Sequence, residues 1–277
     1  MTLSVLVPSS LVRDAADKRA ATRKLGTVAR AATVFRADRV TVYPDPDGEA
    51  QWGGGFVATV LAYAATPPHL RKEAWGERDE LEYAGVLPPL RAVTRTGSGP
   101  QSSGSLRQGI VTEVGPDGRV RVNCGLQHPI SLVAPDREPD VGERVTVRIS
   151  SRDPVRAKVV DDRTGWSVDR SDLPAALGRE DAGLRIAASR HGDVVRASAV
   201  GSPAGRVETD GATVAFGAPE RGLPAILGVD AEPGADGFPP GEPPFDRWLN
   251  TVPNQGSEVV RTEEALVATL AVLNLRA

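Results

Sequence analysis

Several residue types that mark particular protein classes are scarce in this sequence. With Cys124 as its one cysteine and three histidines, the chain cannot form an internal disulfide or a cysteine-based zinc site, and we assign no metal site. The longest mostly apolar run, residues 56–65, has about half of the ~20 residues that a membrane helix needs. The N-terminus lacks the basic and apolar regions of a signal peptide. We therefore expect an intracellular, cytoplasmic protein, with Cys124 as a small buried strand residue.

Charge is distributed unevenly along the chain. The net charge is −3, yet residues 11–40 carry eight basic and three acidic side chains, whereas residues 171–277 carry nine basic and fifteen acidic ones. This asymmetry is compatible with one face that binds a polyanion. A solvated helix surface would produce the same pattern, so charge alone does not choose between the two interpretations.

The first hundred residues have the pattern of an α/β protein. Residues 3–7 form a short apolar run, and residues 39–43 alternate like a strand. Between them, apolar residues recur at three- and four-residue steps, which predicts a helix over residues 14–35. A strand–helix–strand unit implies a parallel sheet with a right-handed crossover. A second helix is predicted over residues 54–65. Toward the C-terminus, strands are predicted at 184–188, 213–216 and 246–252, and a helix at 262–275.

The middle of the chain differs from the flanking segments in composition and in the pattern of its apolar residues. Residues 97–105 (GSGPQSSGS) have the composition of a linker, and five short runs rich in β-branched residues follow at 109–114, 119–124, 129–133, 143–150 and 155–160. Pro116-Asp117-Gly118 between the first two indicates a hairpin. The pattern is typical of a small OB-like β-barrel, a fold that commonly binds single-stranded nucleic acid or RNA. Since few aromatic residues are available for stacking, a purely structural β insertion remains an alternative.

The simplest organisation is one α/β domain in two pieces with the barrel inserted between them. We expect residues 1–96 and 163–277 to form the α/β domain and residues 105–161 to form the barrel.

Three segments hold the candidate functional residues: 25–40 (LGTVARAATVFRADRV), 214–223 (VAFGAPERGL) and 245–265 (FDRWLNTVPNQGSEVVRTEEA). The second predicts a strand that enters a glycine-bearing turn and then a helix, where backbone N–H groups can approach a ligand. Gly217 and Gly222 do not have the spacing of a dinucleotide fingerprint, and no Gly-Lys-Ser/Thr of a phosphate loop follows. The third predicts a strand end, a Pro/Gly loop and a helix capped near Thr262. Taken singly, each segment could be an ordinary loop of an α/β sheet.

Together and in this order, the three segments resemble the motifs of the SPOUT methyltransferases. The resemblance is strongest to a branch of RNA methyltransferases in archaea and eukaryotes with an OB-like insertion, through LNT-P-QG-E-VRTEEA near the C-terminus. It implies a knotted α/β fold with a parallel sheet, interrupted by the barrel, and a homodimer to which the C-terminal helix contributes. It also implies that S-adenosylmethionine is the cofactor. The residues that the resemblance assigns to cofactor binding are Gly217, Glu220, Gly222, Thr251, Val252, Gly256 and Thr262. Pro219 has no N–H group and cannot donate to the cofactor.

The resemblance further implies methylation of RNA, ribosomal or otherwise structured, with uridine N3 as the favoured acceptor. Methylation at N3 also requires loss of a proton. Arg30 and Arg261 are the candidate catalytic residues, as contacts to phosphate or developing charge, although surface ion pairs are an alternative role for both. The histidines lie outside the motifs and receive no role. Two alternatives stay open, namely a 2′-O-ribose methyltransferase and a non-catalytic RNA-binding protein on the same fold.

Overall fold

The computed structural model describes residues 2–91, 105–116, 118–133, 139–152, 155–160, 165–196, 201–229 and 245–274. Within these ranges the chain forms strands β1–β11 and helices α1–α7. The strands are β1 Leu3–Pro8, β2 Arg39–Tyr43, β3 Ser105–Val114, β4 Arg119–Asn123, β5 Ile130–Val133, β6 Arg144–Arg152, β7 Val155–Val160, β8 Ser167–Arg170, β9 Leu184–Val194, β10 Ala212–Phe216 and β11 Arg247–Asn250. The helices are α1 Lys18–Val34, α2 Gly54–Ala65, α3 Arg71–Trp75, α4 Leu173–Leu177, α5 Gly201–Asp210, α6 Leu223–Leu227 and α7 Thr262–Leu273.

Six strands form a parallel sheet in the order β11-β9-β10-β1-β2-β8. The central strands are buried on both faces, since every residue of β10 and five of the six residues of β1 are buried. Continuous apolar runs of this kind are what a parallel sheet covered on both sides requires. The predicted mixed α/β fold with a parallel sheet is confirmed.

Helix α1 begins later than the sequence analysis predicted. It starts at Lys18 rather than at Asp14; Asp17 precedes it, and the Asp17 carboxylate accepts a hydrogen bond from the backbone N–H of Ala20 at 2.6 Å. This cap satisfies one of the N–H groups that a helix start leaves free, which fixes Lys18 as the first helical residue. At the other end, Arg36 takes a left-handed conformation (φ 56°) and stops the helix before β2.

The other five strands form an antiparallel, barrel-like sheet in the order β5-β4-β3-β6-β7, nearly closed by β7 lying beside β5. They correspond to the five predicted strands, and Gly118 occupies the β3–β4 turn with φ 71°. Cys124 is fully buried in the core of this sheet, and burial raises the pKa of its thiol to about 12, so the thiol stays protonated. The predicted linker at 97–105 lies, apart from Ser105, outside the described residues.

The chain divides into two compact units. One comprises Met1–Ala64, Glu80–Leu90 and Trp166–Ala277 and contains the parallel sheet; the other comprises Ala65–Asp79 and Arg91–Gly165 and contains the antiparallel sheet. Segment 65–79, assigned to the α/β domain by the sequence analysis, is grouped with the antiparallel sheet. Strand β8 and helices α3, α4 and α5 were not predicted. No helix among the described residues has both the length and the apolar character needed to cross a membrane.

Candidate functional site

An open cavity of about 470 Å³ lies at the carboxyl ends of β9, β10 and β11. This volume falls within the range of roughly 300–1,000 Å³ that is usual for small-molecule sites. Ligands of open α/β sheets bind at this edge of the sheet. The lining residues are 188–191, 216–218, 220, 222, 224–225, 229, 249–252, 255, 258–260, 262 and 265. The second and third sequence segments therefore meet at one cavity.

A tight turn at 218–221 follows the end of β10, and two of its residues, Ala218 and Glu220, line the cavity. Ala218 and Arg221 exchange two backbone hydrogen bonds, of 2.9 and 3.1 Å. Between them, Pro219 is buried and Glu220 takes a left-handed conformation with φ 60°. This conformation costs a residue with a side chain about 1–2 kcal/mol, so the surrounding structure must hold the turn in place.

Gly217 allows the turn to close. A Cβ atom on this residue would lie 2.7 Å from the backbone nitrogen of Leu223 and 2.8 Å from the backbone carbon and Cα of Gly222. These are backbone atoms that cannot rotate away. Only glycine therefore lets the end of β10 lie against the start of α6.

A buried carboxylate anchors the turn from the neighbouring strands. Asp45 follows β2 and is only 3% exposed; its carboxylate accepts hydrogen bonds from Arg221 Nε at 3.0 and 3.2 Å and from Ser10 Oγ at 2.5 Å. The backbone N–H of Asp45 donates to Ser9 Oγ at 2.8 Å. We call Ser9, Ser10, Asp45 and Arg221 the Asp45 cluster. It ties the ends of β1 and β2 to the turn that carries Glu220.

A second hydrogen bond connects β2 to the end of β10, just before the turn. The buried Tyr43 hydroxyl donates to the backbone oxygen of Phe216, the last residue of β10, at 2.5 Å. Burial, and then the nearby Asp45 charge, raise the pKa of Tyr43 well above its ordinary value. The phenol is therefore protonated and stays a donor over the physiological pH range.

The third segment closes the cavity from the side of α7. Thr262 Oγ1 donates to the backbone oxygen of Gly217 at 2.7 Å, which joins the start of α7 to the end of β10. Because this hydroxyl is used there, the predicted capping role of Thr262 was wrong. Arg261 is the N-cap residue instead, and its backbone N–H donates to Glu264 Oε2 at 2.9 Å. This contact stabilises the helix start.

A bulge in β9 supplies a wall that the sequence analysis did not foresee. Trp248 pairs with Ala187, but the next residue of β11, Leu249, pairs with Asp193, so residues 188–192 have no partner in β11 and form a bulge on that side. Gly192 permits this, since a Cβ there would lie 2.6 Å from the backbone nitrogen of Leu249. Bulges of this kind re-aim side chains next to active sites. The bulge places Arg190 and His191 in the cavity wall.

His191 is thus a site residue that motif reasoning missed. Its neighbour Gly192 was the available signal, because a glycine inside a strand pattern indicates a bulge. Arg190 Nε donates to His191 Nε2 at 3.0 Å, and the Asn250 side chain donates to the backbone oxygen of Arg190 at 2.9 Å. Partial burial, and then the Arg190 charge, lower the pKa of His191 below its ordinary value. The neutral form of the imidazole is therefore favoured.

Most of the predicted cofactor-binding residues lie together, whereas the predicted catalytic arginines do not. Six of the seven predicted cofactor-binding residues line the cavity, namely Gly217, Glu220, Gly222, Thr251, Val252 and Thr262. Gly256 follows the lining residue Gln255 but is not itself part of the wall. Arg261 is exposed at the start of α7. Their binding and catalytic roles stay predictions.

Arg30 lies away from the cavity. Its side chain is on the exposed face of α1, where Nη1 donates to the backbone oxygen of Leu90 at 2.5 Å. Lys24, six positions earlier, lies 3.4 Å from Glu263 Oε2 at the start of α7, an ion-pair distance without hydrogen-bond geometry. Since α1 leads from the carboxyl end of β1 back to the amino end of β2, Arg30 lies about 9 Å further along the helix and away from the cavity edge.

Among the described residues, no group of three or more His, Cys, Asp or Glu side chains is placed to hold a metal ion. The cavity instead combines an apolar wall, including Phe216, Leu249 and Val260, with the two carboxylates Glu220 and Glu258. Such a lining suits an organic ligand that has a flat apolar part and a cationic part.

Comparison with known proteins gives a match over almost the whole chain. Residues 2–273 match a family described as "Putative RNA methyltransferase". A protein of Haloarcula marismortui is 67% identical over 279 residues, and one of Halobacterium salinarum is 65% identical over 281 residues, each alignment covering 99% of both chains. The 28S rRNA (uridine-N(3))-methyltransferase of Homo sapiens is 30% identical over 306 residues, which cover 98% of this chain and 77% of the human protein.

Proposed function

This chain belongs to that family of RNA methyltransferases, and we propose that it transfers a methyl group from S-adenosylmethionine to N3 of a uridine in ribosomal RNA. The observation that carries the proposal is the cavity at the carboxyl ends of β9–β11, which the second and third sequence segments line together. The activity for which the human relative is named, methylation of uridine N3 in 28S rRNA, supports the choice of base and of RNA.

The residues of the cavity fit S-adenosylmethionine. Its adenine needs an apolar slot, which Leu249, Val252 and Val260 can supply, and its sulfonium and ammonium groups need negative charge, which Glu220 and Glu258 can supply. When bound, this cofactor supplies an electrophilic methyl group on a positively charged sulfur.

The chain's own contribution to the reaction is alignment in a partly dry site. The turn held by the Asp45 cluster fixes Glu220 on one side of the cavity, and the Thr262–Gly217 hydrogen bond fixes the start of α7 on the other. Holding two reactants in line lowers the entropic part of the barrier, which can amount to roughly 7–11 kcal/mol. The apolar wall limits the access of water to the reacting atoms.

Two further features belong to the proposal. We propose that the segments around the cavity form the trefoil knot of SPOUT methyltransferases and that the protein acts as a homodimer. Val34 on α1 and Val267 on α7, two helices that pack against each other, are 52% and 41% exposed, and a partner that covers them would bury apolar surface. In such a dimer, Arg30 on the same exposed face of α1 would act at the cavity of the second copy.

The first test separates this function from its alternatives. Titration calorimetry of the purified protein with S-adenosylmethionine should show binding, and nucleoside mass spectrometry of ribosomal RNA from a deletion strain should show loss of 3-methyluridine that the wild-type gene restores. Loss of a 2′-O-methylated nucleoside instead would identify a ribose methyltransferase. No cofactor binding and no change in modification would support the non-catalytic RNA-binding alternative.

The outer face of the antiparallel sheet supports RNA as the substrate. Five basic side chains point outward from β4, β6 and β7, namely Arg119, Arg121, Arg148, Arg156 and Lys158, and all are exposed. Arg148 and Lys158 stand directly opposite each other across β6 and β7. Like charges in this arrangement destabilise a sheet, which favours a role in binding a polyanion. Within the described strands of this sheet, Glu113 is the only acidic residue, and it pairs with Arg121 at 3.2 Å.

Replacing Arg148, Arg156 and Lys158 together by glutamine should weaken RNA binding without changing cofactor affinity. Each phosphate contact contributes about −0.7 to the slope of log K against log salt concentration for single strands, so the slope should become less negative by about 2. Fluorescence anisotropy with a labelled rRNA fragment between 50 and 300 mM salt measures this slope.

Arg206→Gln provides the matched control, because Arg206 is an exposed arginine on α5 of the other unit. For this control variant, the slope of log K against log salt concentration should equal that of the wild-type protein. An unchanged slope in the triple variant would show that this face does not bind RNA.

A further inference from the structure

The bulge of β9 gives His191 a fixed place and a fixed neighbour in the cavity wall. Residue 188 still pairs with Phe216 at the end of β10, so the bulged residues continue past that end, directly at the cavity. Asn250 holds the bulge through the backbone oxygen of Arg190, and the Asn250 side-chain oxygen accepts from the backbone N–H of Val252 at 3.0 Å. The bulge and the loop after β11 are therefore joined around one ligand space.

The hydrogen bond from Arg190 decides which ring nitrogen of His191 carries the hydrogen. A guanidinium group only donates, so His191 Nε2, 3.0 Å from Arg190 Nε, must accept. A neutral imidazole that accepts at Nε2 carries its hydrogen on Nδ1. Within the part of the chain that the structure describes, Nδ1 has no protein partner, which leaves an N–H donor on a residue that lines the cavity.

Methylation of a uracil nitrogen creates a need for such a donor. When the N3–H bond breaks, the proton passes to water and the electron pair stays on the base, spread over N3 and the two carbonyl oxygens. The N3 pair then forms the new N–C bond to the methyl group, while the pair of the broken C–S bond remains on sulfur. A fixed donor at a carbonyl oxygen stabilises the base while it carries this negative charge.

We propose that His191 is a catalytic residue that donates a hydrogen bond from Nδ1–H to a carbonyl oxygen of the target base and stabilises its anionic form. The inference rests on the proposed function. In this mechanism the N3 proton passes to solvent, and the neutral His191 side chain acts as a hydrogen-bond donor. A positively charged imidazole would require loss of the hydrogen bond from Arg190, which the charge of the guanidinium opposes.

The test compares two amides that place their N–H groups differently. An asparagine amide can reach approximately the place of Nδ1, whereas a glutamine amide reaches that of Nε2. His191→Asn should keep kcat within about tenfold of the wild-type value, whereas His191→Ala and His191→Gln should lower it by ~100-fold, the usual effect of losing one transition-state donor. The affinity for S-adenosylmethionine, measured by calorimetry, should be the same in all four proteins.

Two further readouts separate this role from a structural one. An RNA with 5-fluorouridine at the target position has a more acidic N3–H, so the deficit of His191→Ala should shrink with this substrate. Nitrogen-15 NMR of the histidine-labelled wild-type protein should show the Nδ1–H form of His191 at pH 7. Full activity of His191→Ala, equal rates of the Asn and Gln variants, or an undiminished deficit with 5-fluorouridine would overturn the inference. A wild-type protein that forms no 3-methyluridine would overturn the proposed function instead.

Discussion

Gly217→Ala is expected to lower the free energy of unfolding by about 3 kcal/mol and to weaken S-adenosylmethionine binding by ~100-fold. The added Cβ would lie 2.7 Å from the backbone nitrogen of Leu223, so either β10 or the start of α6 must move. Both elements line the cavity, and the Thr262 hydroxyl donates to the backbone oxygen of Gly217 itself. Thermal unfolding and calorimetric titration measure the two effects.

Gly222→Ala is the control for this variant. Gly222 has φ −67°, which alanine adopts freely, and its Cβ would meet only Pro224 Cδ, at the ordinary distance of 3.6 Å. Its melting temperature should stay within a degree or two of the wild-type value, since surface substitutions usually change stability by less than about 0.5 kcal/mol. If Gly217→Ala is equally stable, the close approach of β10 and α6 does not constrain the fold.

Asp45→Asn is expected to destabilise the protein by about 3 kcal/mol, at the lower end of the range for breaking a buried ion pair. Asp45 is 3% exposed, whereas Arg221 retains some contact with solvent, which limits the cost of leaving its charge without a carboxylate. The left-handed turn at Glu220 should relax when Arg221 is released, so the affinity for S-adenosylmethionine should fall as well. Urea denaturation and calorimetry measure these changes.

A double-mutant cycle supplies the control. Replacing Arg221 by methionine removes the charge and keeps most of the apolar stem, so Asp45→Asn combined with Arg221→Met should lose less stability than the sum of the single variants. Additive losses would mean that Asp45 acts through Ser9 and Ser10 without Arg221.

The sequence predicted those helices and strands whose formation depends on residues close together in the chain. Strands β1 and β2, helices α1 and α2 and the five antiparallel strands follow from apolar periodicity and turn residues. The start of α1 was misplaced by a few residues because both Asp14 and Asp17 can cap a helix. Strand β8 was missed because Ser167–Arg170 is short, polar and paired only with β2 at the edge of the sheet.

The candidate site could be predicted only where a motif occurs in one continuous segment. Residues 217–222 and 251–262 are such segments, whereas the burial of Asp45 depends on Arg221, which is 176 positions away in the sequence. His191 lines the cavity because of a bulge in β9, and the size of that bulge depends on how β9 pairs with β11. Arg30 matches its motif, yet the direction of α1 places it away from the cavity.

The order of strands in the parallel sheet has a consequence for biosynthesis. β1 lies between β2 and β10, and β10 consists of residues 212–216, so a ribosome must add about 200 residues before the central strand gains its second neighbour. At ~5–20 residues per second this takes roughly 10–40 s. All five strands of the antiparallel sheet lie between residues 105 and 160, so this sheet can form during that interval. During this period the apolar strand β1 is paired on one side only. We expect the nascent chain to need chaperone protection most at this stage.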